Sequence, residues 1–136
     1  MAAGILRLKL ADEIGWQIGS AGTWAAEGQT VLPEVLEVMS PRGIDLSRHR
    51  ARTVSEKLLG ASNLVLVMES SHHEAIIHEF PGVSSRVFLL SEMSGRWQPV
   101  LDPVGGTQKD YQSTADELDR LITQGLERIR YLARME

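Results

Sequence analysis

Two short apolar runs constrain this chain most. Asn63-Leu64-Val65-Leu66-Val67-Met68 and Arg86-Val87-Phe88-Leu89-Leu90 are each of strand length and do not alternate with polar residues. A strand with one wet face alternates, whereas a continuous apolar run fits a strand covered on both faces, as in parallel sheets. Between them, Ser71-His72-His73-Glu74 has the spacing of a capping box and predicts a helix that stops before Pro81-Gly82. Strand, helix and strand in that order make a parallel crossover.

The remaining segments extend this pattern. Ala2 to Ile14 reads as an amphipathic helix with Ala3, Leu6, Leu10 and Ile14 on one face. No Ser, Thr, Asp or Asn precedes it, so its first amides lack a side-chain cap. A helix opening at residue 1 without an entry signal reads as cut. Trp16 to Ser20 reads as a short strand, Ala21 to Leu32 as a loop. Pro33 suits the first turn of a helix carrying Val35, Leu36 and Met39, closed by Ser40-Pro41 and Gly43. Thr53-Val54-Ser55-Glu56 has capping-box spacing and opens a helix ending near Gly60. Thr107-Gln108-Lys109-Asp110 caps a last helix whose face is Leu118, Leu121, Ile122, Gly125, Ile129 and Leu132. The fold class expected is α/β, a parallel sheet with helices on both faces, in one domain spanning 1–136.

Composition excludes several functions. A net charge of −4 argues against a nucleic-acid partner. With no cysteine, the chain has no disulfide, no thiolate metal ligand and no thiol nucleophile of its own. Arg7, Lys9, Asp12 and Glu13 interrupt the apolar start, so it is not a signal peptide. No stretch approaches the roughly 20 apolar residues of a membrane span. A cytoplasmic location with no membrane partner is the expectation. His72, His73 and His78 lack the i, i+4 spacing of a helical zinc pair and read as surface residues, so no metal is expected. Trp16 and Trp97 read as packing residues. Asp102-Pro103 taken alone is a turn device. His49 among Arg48, Arg50 and Arg52 reads either as a solvated basic turn or as an anion site.

Ligands of such sheets sit beyond the carboxyl ends of the strands. Those ends are Ser20-Ala21-Gly22-Thr23, Glu69-Ser70-Ser71, and the segment from Leu90 to Asp102. Polar clusters thus lie where a site is expected, and four segments in order carry a resemblance. Ser20 to Thr23, Gly43 to Arg52, Leu64 to Glu69, and Asp102-Pro103-Val104-Gly105-Gly106 together resemble the low-molecular-weight protein tyrosine phosphatases. The Gly-Gly after Asp-Pro resembles the bacterial branch that includes protein-arginine phosphatases.

The resemblance implies a phosphotyrosine phosphatase I-like sheet with the first strand missing. It also implies a phosphorylated protein or peptide as partner, and no cofactor. Asp102 matches the family's general acid, Ser20 and His49 match residues that brace the phosphate loop, and Trp24 matches a wall of the substrate pocket. The family's loop carries a cysteine nucleophile and an arginine, and neither is matched here. The expectation is an inactive chain whose register places a strand and loop before Met1. The alternative is a non-catalytic phosphatase-like binding or regulatory domain. A thiol-coupled arsenate reductase shares the fold but needs several cysteines.

In the family that first strand lies between the strands matching 16–20 and 63–68. Without it, two edges lose their partners, at about 1–3 kcal/mol for each buried unpaired group. Three outcomes are open: the flanking strands close on each other, another chain fills the gap by self-association, or stability is low.

Overall fold

The computed structural model describes residues 1–22, 26–96 and 98–134. It contains five α-helices among these residues: α1 (Ala2–Lys9), α2 (Pro33–Met39), α3 (Glu56–Gly60), α4 (Ser70–Glu79) and α5 (Gln108–Arg134). Strands β1 (Val65–Val67) and β2 (Val87–Leu89) pair in parallel, with Val65 opposite Val87 and Val67 opposite Leu89. The fold is α/β with a parallel sheet, as the two apolar runs predict. The chain clusters into two compact units, Met1–Thr53 with Asp102–Asp119, and Val54–Leu101 with the residues from Arg120 onward.

The second unit holds the sheet. β1, α4 and β2 form the expected crossover, and Leu59 of α3, Val67, Ile76 of α4, Val83, Val87 and Leu89 make its buried cluster. Ser55 rather than Thr53 caps α3, its Oγ accepting from the Leu58 amide at 3.1 Å. Thr53 is instead held by its own amide, which donates to Glu27 Oε1 at 2.5 Å. α4 begins at Ser70 with no side-chain cap, so the predicted box at Ser71 is not formed. His73 is not a free surface residue: it is half-buried, and its Nε2 lies 3.2 Å from the Val87 carbonyl oxygen. That contact fastens α4 to β2.

The first unit contains two corrections. α1 ends at Lys9, short of the predicted Ile14, and Ile14 is fully exposed. Ile5 and Leu10 carry the buried face, because beyond Lys9 the chain turns and helical spacing no longer applies. The second correction concerns 16–20, which is not a strand. A strand is stable only with a neighbour to accept its hydrogen bonds. Here the carbonyls are taken by side chains: Ile18 O by Arg7 and Ser20 O by Arg52. Order is supplied by 50–53, which touches 28–30 in an antiparallel bridge (Thr30 with Arg50) and Gly22 in a parallel one through Thr53.

α5 is entered as predicted. The Asp110 amide donates to Thr107 Oγ1 at 3.3 Å and the Thr107 amide to Asp110 Oδ2 at 2.8 Å, a reciprocal box. Its buried stripe includes Leu118, Leu121, Ile122 and Ile129, and begins earlier than the sequence reading had it, at Tyr111 and Ala115. No helix is long and apolar enough to cross a membrane among the described residues.

Candidate active site

Three separated stretches of the first unit meet at one cleft of about 230 Å³. The residues after α1 bring Ser20, the basic turn before the 50–53 segment brings His49, and the turn before α5 brings Asp102 with Pro103. Arg7, on α1, also lines the cleft. Val31, Leu32, Val35, Leu46 and Val104 add apolar lining. Tyr111 is buried and also lines the cleft.

The turn that carries Asp102 is built by its own side chain. Asp102 Oδ1 accepts from the Val104 amide at 3.0 Å, and the Gly106 amide donates to the Pro103 carbonyl at 2.8 Å. The turn-device reading of Asp-Pro is therefore correct. Oδ2 takes no hydrogen bond among the described residues and belongs to an exposed side chain. His49 is half-buried. Burial holds its imidazole below the usual pKa, and the positive charges of the Met1 amino group, Arg7, Arg52 and Arg50 act in the same direction. A neutral ring at neutral pH can donate from one nitrogen and accept at the other.

Three of the four candidate site residues, Asp102, Ser20 and His49, are thus brought together. Trp24 lies outside the described residues, as does Trp97. Sequence reasoning missed Arg7, which it used only as a break in an apolar run. No local pattern announces a guanidinium whose partner is eleven residues away. Tyr111 was also missed, though extending the α5 stripe back by three and four residues from Leu118 reaches Ala115 and Tyr111. Among the described residues no group of three or more His, Asp or Glu is arranged to hold a metal ion.

A family model described as low molecular weight phosphotyrosine protein phosphatase matches residues 1–133. The chain belongs to that family. Among family relatives, a protein-arginine-phosphatase of Geobacillus stearothermophilus is 31% identical over 131 residues, which are 96% of this chain and 86% of the relative. A low molecular weight protein-tyrosine-phosphatase of Staphylococcus haemolyticus is 34% identical over 122 residues, 90% of this chain and 84% of the relative. The solved low molecular weight protein tyrosine phosphatase from T. tengcongensis superposes with a TM-score of 0.88 at 36% identity, covering 93% of this chain and 88% of that one. The α/β fold is therefore that of the phosphatase family.

Proposed function

We propose that this chain forms the acid side of a protein phosphatase site acting on phosphorylated protein residues, tyrosine or arginine. The observation that carries the reading is the meeting of Asp102, Ser20 and His49, from three distant stretches, around one cleft. In this reading Asp102, through the unbonded Oδ2, donates a proton to the leaving group and later takes one from the attacking water. Ser20 and His49 orient the phosphate-holding loop by hydrogen bonds, and Trp24 walls the substrate side.

The nucleophile is not among these 136 residues, which contain no cysteine. Among the described residues Ser20 is the one Ser or Thr lining the cleft, and no hydrogen bond ties its hydroxyl to an activating base. In this reading the 136 residues alone do not turn over a phosphate ester. A cytoplasmic setting suits this chemistry, because thiols stay reduced there. β1 has one ladder partner among the described residues, and its open edge supports self-association.

The test is a phosphatase assay on two proteins. With p-nitrophenyl phosphate, the 136-residue chain should give no turnover above background. The same chain preceded by a family strand and cysteine-bearing phosphate loop should be active on phosphotyrosine or phosphoarginine peptides. Asp102→Asn should then lower kcat by about 10²–10⁴-fold. An active extended protein indifferent to Asp102→Asn would sink the assignment of the acid. Phosphopeptide binding by calorimetry, with an extended protein that stays inert, would favour the binding-domain reading, which the cysteine-free composition supports.

A further inference from the structure

We infer that Arg7 and Arg52 are positioning residues that clamp residues 18–20 by their backbone carbonyls and so hold Ser20 at the cleft wall. Only the functional consequence of the clamp rests on the phosphatase reading.

The segment 16–20 has no ladder to order it. Its carbonyl at Ile18 accepts two bonds from Arg7, from Nε at 3.0 Å and Nη2 at 2.7 Å. The carbonyl of Ser20 accepts from Arg52 Nε at 2.9 Å. Bonds from a guanidinium are charge-assisted and directional. Each arginine is delivered from backbone that is already fixed. Arg7 stands on α1. Arg52 stands in a segment where its own carbonyl accepts from the Gly22 amide at 2.9 Å, and where Ala51 pairs with Gln29 and Gly28, each at 2.8 Å.

Gly19, between the two clamped carbonyls, makes room for this arrangement. A Cβ there would lie 2.3 Å from Arg52 Nη2. The absence of a side chain is what admits the guanidinium. Arg52 also lies three residues beyond His49 on the same segment. The clamp therefore couples the stretch that bears Ser20 to the stretch that bears His49. Lysine is no substitute at Arg52, since the bond to Ser20 comes from Nε, set back in the side chain and held in the guanidinium plane, whereas a lysine ammonium is a mobile point charge at the end of its stem.

The test uses NMR on the native chain and four variants. Arg7, Arg52 and Arg48 are all exposed, so only the carbonyl bonds should set them apart: in the native chain the Nε–H protons of Arg7 and Arg52 should exchange about tenfold more slowly than that of Arg48. Gly19→Ala and Arg52→Gln should displace the Ser20 amide and His49 ring signals in the same way. The double variant should add nothing, because both changes break one contact. The groups facing His49 are the Met1 amino group, Arg7, Arg52 and Arg50. Arg52→Gln removes one of these charges and should raise the His49 titration midpoint. Arg52→Lys should keep that midpoint near native, yet fail to restore the Ser20 amide signal.

Equal exchange at Arg7, Arg52 and Arg48 would overturn the clamp, and so would additive effects or full restoration by lysine. Should Arg52→Gln not fold, native exchange and Gly19→Ala still decide the matter. The Asp102 assay on the extended protein is independent, so a failed clamp and a failed phosphatase reading are told apart.

Discussion

Asp102 Oδ1 accepts from the Val104 amide and Oδ2 takes no hydrogen bond among the described residues, so one side-chain oxygen shapes the loop and the other is left open to the cleft, as the proposed acid role needs. His49 has a consequence for stability. Its folded pKa is held below the ordinary 6.5, by burial first and by neighbouring positive charge second. As pH falls through 6.5, the unfolded chain takes up the proton before the folded one does. Stability should therefore decline as pH drops below 6.5 and level off below the folded pKa. A His49→Gln variant should lose that part of the slope in urea melts at a series of pH values. Ser91 is the opposite kind of residue: 2% exposed, with an Oγ that has no hydrogen-bond partner. An unpaired buried hydroxyl destabilises, so Ser91→Ala should leave stability unchanged or raise it by about 1 kcal/mol. A loss beyond that range in the urea midpoint would show that the hydroxyl has a partner in solution.

Among the elements, α5 is one whose sequence pattern and packing agree well, apart from the earlier start of its buried stripe at Tyr111. Its reciprocal Thr107–Asp110 box and its buried stripe were both visible in residue spacing. Gly125 shows where spacing stops being informative. By helix propensity alone, alanine would be favoured there over glycine by about 1 kcal/mol. Yet a Cβ at Gly125 would sit 2.5 Å from Met93 Cβ and 2.8 Å from the Met93 carbonyl carbon. Backbone cannot rotate away as a side-chain tip can, so the clash outweighs propensity. Gly125→Ala should destabilise by about 1–3 kcal/mol, read as a lowered urea midpoint at unchanged slope. By contrast Thr107→Ala removes only a cap and should cost about 1 kcal/mol. The salt bridges Lys9–Asp119 and Arg42–Asp116, each at 2.6 Å, are partly exposed and contribute at most about 1 kcal/mol apiece.

For the whole molecule the sheet is the feature that matters. It has two strands among the described residues, and both are edges. The second edge of β1 presents apolar Val65 to Val67 with no ladder partner there, an arrangement that favours pairing with another chain. Sedimentation of the purified 136-residue chain should show concentration-dependent association. Urea should unfold it with less than about 5 kcal/mol, the low end for a domain. A cooperative monomer above that value would remove the argument from the open edge.

Much of this was legible beforehand for a physical reason. Apolar continuity at 64–68 and 86–90 is local to the chain and reports strands, their parallel pairing and the α/β class, although Val67, Val87 and Leu89 are buried while Leu66 and Phe88 on the other face are half-buried. Capping at Thr107 and the α5 stripe are equally local. The total lack of cysteine, a fact of composition, excludes a thiol nucleophile from these residues. What depended on neighbours was misread. Trp16 to Ser20 alternates like a strand, but strand formation needs a partner ladder, and its carbonyls instead bind Arg7 and Arg52. Ile14 fits the helical period of α1 but falls beyond its end. The cleft itself, lined by Ser20, His49, Asp102 and Arg7, exists only because residues far apart in the chain fold together. The sequence by itself determined the α/β class, the two paired strands and the absence of a thiol from these residues. Only the tertiary structure decided which side chains face one another, because those distances are set by packing across the chain rather than by spacing along it.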